Sequence, residues 1–575
     1  MHLNIRITGA AGAGVNSTVD IVAGLFAELG YDMITDIEYE SRIKGGVNYF
    51  DIFISDKNEK FLTKYVDIVL AFNSESLEKA IPSLKAGAII IINKKWSEKY
   101  SENVGNENFH SLQDFNILDL EISDKYDNTY LLGILAKYLN IDLNIILEKI
   151  EKVFARKGET VVKYNKAVIE NIYKTYKIQN SVETSIYRVS EKDAINGHLY
   201  NIKKVGEPKT LAYGNESIAK GAIKSELEYF SAYPMTPAST VLTEVIKDGT
   251  VTFLQAEDEI AVANSAIGAS FTGKRAMVAT SGGGFALMTE ALSFAVQAEF
   301  PIVAVLAQRA GPSTGTPTYQ EQGDIHFALN PTFGDFEHIV MYPSNLEESY
   351  YFGGLSLNLA DKYQNPVIVL TDKQAAEMHG THSDFEACPV DRGVVLENPP
   401  EDYKRYELTE SGISPRVNVG TKNGDFIATS YEHDEYGATT EDTILKQKFT
   451  EKRFKKLEDF YKKEGFSGYE IVNPKAKKML VITGFTRYTA EHFIKNNPEF
   501  GLIIIKFLKP LDERLRAEIE KLEEVIFVES NYSGQIENYI TKELGLKYID
   551  GLKISNLRKY DLFPFYIEDF ESLVK

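Results

Sequence analysis

Short apolar runs and longer amphipathic stretches alternate along the first part of the chain. Residues 2–8 predict a strand, residues 9–14 a turn rich in glycine and alanine, and residues 15–29 an amphipathic helix. Further apolar strands are predicted at residues 67–71 and 88–92, with helical patterns between them. This succession of strands and helices is typical of an open α/β sheet.

The same alternation returns twice further along the chain. Four short strands, at residues 210–213, 276–279, 302–306 and 366–370, alternate with alanine-rich helices, which is the order that a parallel sheet requires. A third run begins at residue 478 with MLVITG and continues with GLIIIKF and VIFVES. The pattern therefore predicts three open α/β domains.

The blocks between these runs set the predicted boundaries. We place the α/β domains at residues 1–178, 209–385 and 477–575, with a polar linker at 179–208 and an irregular connecting region with a helix at 386–476. The charged helix of the connecting region lies around residues 446–463, and we expect its Lys and Glu side chains to face solvent.

The charge and the cysteine content exclude several kinds of partner and of site. The 575 residues carry 83 Asp and Glu against 63 Lys and Arg, a formal net charge of −20, so nucleic acid and anionic membranes are not expected as partners. The single cysteine, Cys388, allows neither an intrachain disulfide nor a four-thiolate metal cluster. Without a spanning apolar run or a leader pattern, we expect a cytoplasmic location.

The glycine cluster near the start reads Gly9-Ala-Ala-Gly12-Ala-Gly14. This G-x-x-G-x-G spacing differs from the dinucleotide fingerprint, which disfavours a nicotinamide-dependent dehydrogenase. Backbone N–H groups at such a helix start can bind an anion, although close packing of strand and helix explains the small residues equally well. Further along the chain, Arg42 and Lys44 place two cations beside a flexible Gly-Gly turn, where a phosphate could be contacted.

Polar residues follow the predicted strands of the second domain. They are Thr236 between two prolines, the consecutive acids Glu257, Asp258 and Glu259 at a helix start, Thr280, Ser281 and Gly282 after one strand, and Arg309 after the next. Because the carboxyl ends of parallel strands share one sheet edge, we predict a binding site there. Arg309 suits a substrate carboxylate, and we expect a carboxylate at the start of the helix to be partly buried and suited to proton transfer. A Pro-capped loop and acids that complement a helix dipole are the structural alternatives.

The histidines of His379-x-x-His382 lie near Cys388, but the spacing does not predict a metal site, and we assign no metal to this chain.

In these motifs the chain resembles the alpha subunit of the thiamine-diphosphate-dependent 2-oxoacid:ferredoxin oxidoreductases, in the form with a gamma domain fused at the N-terminus. Tyr233-Pro-Met-Thr-Pro237 is similar to the family's Y-P-I-T-P, Thr280-Ser-Gly-Gly-Gly284 to T-S-G-P-G, and Arg309-Ala-Gly-Pro-Ser-Thr-Gly315 to R-G-G-P-S-T-G. Residues 411–415, 432–437 and 529–535 extend the resemblance. It implies an N-terminal gamma-type domain, a central thiamine-diphosphate pyrimidine-binding domain and a C-terminal transketolase-C-like domain.

The resemblance also implies roles for single residues. Glu257 would hydrogen-bond the aminopyrimidine ring of thiamine diphosphate, and Thr236 and Arg309 would hold the 2-oxoacid in a pocket shaped by Tyr233. Further contacts to the cofactor would come from Pro234, Thr280, Ser281 and Gly282. Coenzyme A contacts would come from Gly12, Gly14, Arg42 and Lys44.

The implied reaction is coenzyme A-dependent oxidative decarboxylation of a 2-oxoacid, with 2-oxoglutarate or a broad range of 2-oxoacids as substrate. The sequence contains no Gly-Asp-Gly motif for a Mg²⁺-diphosphate site. The resemblance therefore implies a beta subunit that carries Mg²⁺ and a [4Fe-4S] cluster, ferredoxin as acceptor, and an (alpha-beta)2 assembly. A pyruvate-specific member and a non-catalytic paralogue that assembles with partner subunits are the alternatives.

Overall fold

The computed structural model describes residues 1–10, 12–39, 46–102, 116–120, 127–176 and 200–574. The chain divides into two compact units. The smaller unit comprises Met1–Leu211, Met378–Ser383 and Tyr566–Lys575, and the larger comprises Ala212–Glu377 and Asp384–Phe565. Among the described residues, no helix is both long enough and apolar enough to cross a membrane.

The smaller unit is built on a mixed sheet. Its strands are β1 (His2–Ala10), β2 (Asp32–Glu38), β3 (Val47–Ser55), β4 (Val66–Ala71), β5 (Leu84–Asn93) and β6 (Asn116–Leu120). Its helices are α1 (Val15–Glu28), α2 (Ser74–Ala80), α3 (Lys94–Glu102), α4 (Asp127–Tyr138), α5 (Leu143–Phe154) and α6 (Glu159–Thr175). The strands lie in the order β6-β5-β4-β1-β3-β2, with β1 parallel to β4 and antiparallel to β3.

Both faces of this sheet are covered. Along β4, Ile68 and Leu70 join the apolar cluster formed with α1 and α4–α6, whereas Val69 and Ala71 join the cluster that contains Leu77 of α2. A strand buried on both faces is apolar throughout, which explains the continuous apolar runs at residues 67–71 and 88–92.

The larger unit begins within β7 (Thr210–Tyr213) and contains a parallel sheet. The strands of this parallel sheet are β8 (Tyr229–Ala232), β9 (Thr252–Gln255), β10 (Ala276–Thr280), β11 (Ile302–Gln308), β12 (Ile339–Met341) and β13 (Pro366–Asp372). The helices are α7 (Gly214–Lys224), α8 (Ser239–Asp248), α9 (Glu259–Phe271), α10 (Gly282–Leu287), α11 (Thr289–Gln297), α12 (Ile325–Leu329), α13 (Leu346–Tyr363) and α14 (Lys373–Glu377). The strand order is β12-β13-β11-β10-β8-β9, so β9 forms one edge.

A second sheet follows in the larger unit. After β14 (His379–His382) come α15 (Thr443–Lys455), α16 (Phe460–Glu464), β15 (Tyr469–Val472), β16 (Lys478–Ile482), α17 (Thr486–Asn496), β17 (Phe500–Ile505), β18 (Phe507–Lys509), α18 (Leu515–Ile519), β19 (Glu524–Glu529), α19 (Gln535–Glu543), β20 (Lys553–Arg558) and α20 (Ile567–Phe570). Of these elements, β14 and α20 belong to the smaller unit. The strands of the second sheet lie in the order β15-β17-β16-β19-β20, whereas β18 pairs antiparallel with β12 of the parallel sheet.

The structure departs from the predicted boundaries at three points. The strand β15 starts before residue 477 and pairs antiparallel with β17. Residues 378–383, predicted in the second domain, supply β14, whose Gly380 pairs with Ile34 of β2 in the smaller unit. Residues 566–575, predicted in the third domain, also belong to the smaller unit. Such additions depend on contacts between distant parts of the chain, which a local hydrophobic pattern does not contain.

The prediction for the charged helix near residue 446 is wrong in part. Lys452, Arg453 and Lys456 are buried, and the ammonium groups of Lys452 and Lys456 lie 2.6 and 2.7 Å from the carboxylate of Glu299. Charged side chains are buried almost only when they are paired, and the partner here is about 150 residues away in sequence. The pairing was therefore invisible in the local pattern.

Candidate functional site

The carboxyl edge of the parallel sheet brings most of the predicted site residues together. Neighbouring strands end in register, with Ala232 of β8 opposite Gln255 of β9 and Thr280 of β10 opposite Leu306 of β11. The loops that follow these strands therefore leave the same edge. They carry Tyr233, Pro234 and Thr236, then Glu257, then Ser281 and Gly282, and finally Arg309.

Arg309 is anchored to the loop that follows β8. Its Nη1 donates a hydrogen bond of 2.6 Å to the backbone carbonyl of Thr236, and no carboxylate of the described residues forms an ion pair with it. Burial lowers the pKa of Arg309, and the charge of Asp324 opposes this shift. Asn215 supports the same loop because its Nδ2 donates to the carbonyl of Pro237 at 3.0 Å. The guanidinium is thus fixed at one nitrogen, and its other donors are available to an anion.

The acids at the start of α9 have three different environments. Glu257 is exposed, as are all residues of the preceding edge strand β9. Asp258 caps α9 by accepting a hydrogen bond of 2.8 Å from the N–H of Ala261. Glu259 is the buried acid, and its Oε1 lies 3.4 Å from the hydroxyl of Thr280. Glu259 is therefore the buried acid that was expected at this helix start, whereas the pattern of three consecutive acids could not tell which of them it would be.

The glycine run after β10 makes room for two carboxylates. A Cβ on Gly282 would lie 2.6 and 2.8 Å from the two carboxylate oxygens of Asp324, and one on Gly284 would collide with Thr280 Oγ1 and Glu259 Oε1. A Cβ on Gly283 would meet no atom within 4 Å. Two of the three glycines are therefore required by neighbouring side chains of the protein itself.

This contrast gives a matched pair of variants. We expect Gly284→Ala to lower the stability of the chain by about 1–3 kcal/mol through overpacking, and Gly283→Ala to leave it nearly unchanged. The measurement is the midpoint of thermal unfolding of the two variants and the parent. Equal midpoints for the two alanine variants would contradict the packing described here.

Asp324 is a site residue that the sequence pattern did not reveal. It lies just before α12, and its backbone N–H donates 2.9 Å to Oε1 of Gln308 at the end of β11. Burial, with a smaller effect from the charge of Glu321, raises the pKa of Asp324 to about 6, although Arg309 opposes the shift. The only signal in the sequence was its position fifteen residues after Arg309, in a loop with no regular pattern.

A buried polar network supports the loop between Arg309 and Asp324. The side-chain amide of Gln322 donates to Asp372 at 3.0 Å, and the hydroxyl of Tyr342 donates to the same carboxylate at 2.6 Å. The backbone N–H of Ser530 donates to Oε1 of Gln322 at 3.1 Å, and Nδ2 of Asn531 donates to its carbonyl. The motif at residues 529–535 thus stabilises this loop within the larger unit.

The remaining predicted residues belong to the smaller unit or lie outside the described residues. Gly12 and Gly14 have left-handed backbones, with φ of 86° and 89°, and Gly14 is the N-cap of α1. Arg42 and Lys44 lie outside the described residues. His379 and His382 lie on β14, and no group of three metal-binding side chains occurs among the residues that the structure describes.

The sheet edge fits the pyrimidine end of thiamine diphosphate. Ser281 is fully buried at this edge, and among the described residues its Oγ has no hydrogen-bond partner. A side chain added at Gly283 would meet open space, so the backbone at this position is open to a neighbouring molecule. A carboxylate, an unpartnered hydroxyl and an open glycine suit the few polar groups and the flat shape of such a ring.

Comparison with known proteins assigns the class. Residues 220–451 match the family model described as pyruvate flavodoxin/ferredoxin oxidoreductase, thiamine diphosphate-binding, and residues 4–175 match that of pyruvate ferredoxin/flavodoxin oxidoreductase. The fold and the site therefore define an oxidoreductase subunit with a thiamine diphosphate-binding α/β domain. This confirms the predicted α/β class with its gamma-type and thiamine-diphosphate-binding domains.

Full-length relatives narrow the assignment. The 2-oxoacid:ferredoxin oxidoreductase subunit alpha of Sulfolobus sp is 30% identical over 628 residues, covering 100% of this chain and 97% of the relative. The corresponding subunit of Saccharolobus solfataricus is 32% identical, covering 95% and 94%. A solved structure of the 2-oxoglutarate:ferredoxin oxidoreductase from Magnetococcus marinus is 28% identical with a TM-score of 0.85, covering 100% and 99%. The chain belongs to the family of 2-oxoacid:ferredoxin oxidoreductase alpha subunits, as its motifs predicted.

Proposed function

We propose that this alpha subunit takes part in coenzyme A-dependent oxidative decarboxylation of a 2-oxoacid, with 2-oxoglutarate or a broad range of 2-oxoacids as substrate. The observation that carries the proposal is Arg309, anchored by Thr236 and without an ion pair among the described residues, at the sheet edge that also bears Glu257. The Magnetococcus marinus structure contains 2-oxoglutarate, coenzyme A and succinyl-CoA, and a 34% identical relative from Methanocaldococcus jannaschii is a 2-oxoglutarate synthase subunit. Both relatives support this substrate class.

Each predicted residue has a physical task in this reaction. Arg309 would bind the 1-carboxylate of the substrate, the carbonyl of Thr236 would fix its guanidinium, and Tyr233 would line the exposed side of the pocket. Glu257 would share a proton with the aminopyrimidine ring, next to Pro234, Thr280, Ser281 and Gly282. Thiamine diphosphate, when bound, supplies the nucleophilic carbon and accepts the electrons released on decarboxylation.

We propose that a beta subunit completes this site. The edge strand β9 and its surroundings expose Phe253 and Leu254, by 45% and 40%, together with Ile260 and Leu287 by 51% and 48%. Exposed apolar side chains along an edge strand are normally covered by a partner. The beta subunit would supply the Mg²⁺-diphosphate site and a [4Fe-4S] cluster, since this sequence contains a single cysteine and no Gly-Asp-Gly motif. The assembly would be (alpha-beta)2, with ferredoxin as acceptor, in the reducing cytoplasm where Cys388 stays a free thiol.

We assign coenzyme A contacts to Gly12, Gly14, Arg42 and Lys44. In support, the left-handed glycines lie at or just before the start of α1, and a side chain at Gly12 would meet nothing within 4 Å. Backbone N–H groups at a helix start bind phosphate groups.

Reconstitution tests the proposed function. The chain is produced with and without a beta subunit, and the reduction of ferredoxin is followed with coenzyme A and 2-oxoglutarate, pyruvate or a branched 2-oxoacid. We expect turnover only in the complex, with kcat/KM for 2-oxoglutarate equal to or above that for pyruvate. Turnover of pyruvate alone would indicate the pyruvate-specific alternative, and an assembled complex without turnover would indicate a non-catalytic paralogue.

A further inference from the structure

Asp324 has no role in the proposed chemistry, yet it lies at the proposed site. Its backbone is fixed by the side chain of Gln308, the residue that directly precedes Arg309. Among the described residues, its carboxyl group makes no ion pair, and it does not cap α12. Both carboxylate oxygens lie against Gly282, one of the predicted cofactor-binding residues. A half-buried acid without a hydrogen-bond partner is thus held between a glycine turn and a half-buried cation.

The groups that face Asp324 come from its own loop, the end of β11, the turn before α10, and α12. Glu321 of the same loop is the neighbouring acid, and its Oε2 accepts a hydrogen bond of 3.0 Å from the N–H of Gly311. Arg309, at the end of β11, is the neighbouring cation. The turn before α10 contributes the uncharged Gly282, with Glu259 behind Gly284, and α12 contributes His326, which hydrogen-bonds Gln535.

The surroundings of Arg309 therefore already hold two acids, Asp324 and Glu321, when the site meets an anionic substrate. A 2-oxoacid carboxylate at Arg309 adds a negative charge within the electrostatic range of Asp324 and Glu321. Like charges in one site favour protonation of one of them, and the acid with the least hydrogen-bonding support takes the proton. Glu321 accepts a hydrogen bond from the backbone N–H of Gly311, whereas Asp324 has no such donor among the described residues.

We propose that Asp324 is a positioning residue that takes up a proton when the carboxylate of a 2-oxoacid binds to Arg309. The inference rests on the proposed function, because it needs a 2-oxoacid at Arg309. In its protonated form Asp324 no longer repels the substrate and becomes a hydrogen-bond donor toward it. The proton comes from solvent and returns to solvent when the substrate leaves.

The direction of the pH dependence follows from linkage. Asp324 in the free protein has a pKa of about 6, and a bound anion raises it further. Below pH 6 the carboxyl is already protonated, so affinity is highest and independent of pH. Above pH 6 binding requires proton uptake, so the Kd rises with pH, by at most about tenfold per pH unit, until the pKa of the complex is passed.

The test uses the alpha–beta complex prepared without thiamine diphosphate, so that 2-oxoglutarate binds without turnover. Calorimetric titration at pH 7 in two buffers of different ionisation enthalpy counts the protons taken up. We expect net uptake of a substantial fraction of a proton and a Kd that rises severalfold between pH 6 and 7.5. We expect Asp324→Asn to show no uptake and a Kd that is independent of pH. The exposed Asp335→Asn, in the same region of the chain, serves as control and should behave as the parent.

The outcomes separate the two proposals. If the parent complex binds 2-oxoglutarate without proton uptake, or if Asp324→Asn keeps the uptake of the parent, the role of Asp324 is wrong and the proposed function stands. If no 2-oxoacid binds to the parent complex at any pH, the proposed function fails. A thermal unfolding midpoint for Asp324→Asn equal to that of the parent shows that any change comes from the lost proton rather than from misfolding.

Discussion

Replacing Glu257 with glutamine is expected to reduce kcat of the assembled complex by about 100- to 10,000-fold, the range that general acid–base groups contribute. The amide keeps the size of the side chain and its ability to hydrogen-bond, but it can neither hold nor release a proton at this position. Glu257 is exposed, and its carboxylate accepts no hydrogen bond from the described residues, so the substitution removes no contact that stabilises the fold. We therefore expect an unchanged midpoint of thermal unfolding together with lost turnover.

The matched control is Glu290→Gln. Glu290 is also an exposed glutamate of the same unit near the start of a helix, but it lies on α11, which does not directly follow a strand. Its variant should retain the kcat of the parent. Activity of Glu257→Gln within a few-fold of the parent would refute the assignment of Glu257 and favour the non-catalytic paralogue.

The sheet edge could be predicted from sequence because a parallel sheet leaves little freedom. Once the strands before Ser281 and Arg309 are recognised as neighbours with the same direction, the loops that follow them must leave the same edge. Prediction failed where the position of a side chain depends on a loop that is held by residues far away in the sequence. Asp324 reaches Gly282 through a loop that is fixed by Ser530 and Asn531, about two hundred residues further along the chain.

Burial of charge was the second limit of the sequence prediction. Lysines and glutamates in a helical pattern are nearly always solvated, and this rule predicts a solvent-exposed face for the helix near residue 446. Lys452 and Lys456 violate it because Glu299 is fully buried and requires cations around it. Neither the position of Glu299 nor its need for partners can be deduced from its local sequence, AEF.

Glu299→Gln is expected to destabilise the larger unit by about 3–5 kcal/mol, which is the cost of leaving a buried charge without its partner. Both carboxylate oxygens of Glu299 accept hydrogen bonds from Lys452, and Lys456 lies 2.7 Å from one of them. Arg405 donates to the Glu299 carbonyl at 2.8 Å. Burial alone would raise the pKa of Glu299, but Lys452, Lys456 and Arg405 outweigh burial and hold it well below the usual range. Removal of this one negative charge leaves three buried basic groups without their anion.

The pH dependence of this loss distinguishes it from a simple packing defect. Burial lowers the pKa of Lys456 to about 7 despite the opposing charge of Glu299, and it also lowers that of Lys452. Without Glu299 both lysines fold in the neutral form, so the unfolded chain binds more protons than the folded one up to the pKa of free lysine, about 10.4. Stability then rises with pH more steeply in the variant than in the parent, and the deficit shrinks between pH 7 and 9.

Thermal unfolding of the full chain at pH 7 and 9 measures both effects. At pH 7 we expect the midpoint of Glu299→Gln to lie about 5–15 °C below that of the parent. The exposed Glu458→Gln, next to the same cluster in sequence, should match the parent. Adding Lys452→Met and Lys456→Met to Glu299→Gln should recover part of the loss, since an apolar replacement of a buried charge cluster is often tolerated. A deficit that is equal at both pH values, or that the two methionines deepen, would show that Glu299 acts through packing rather than through its charge.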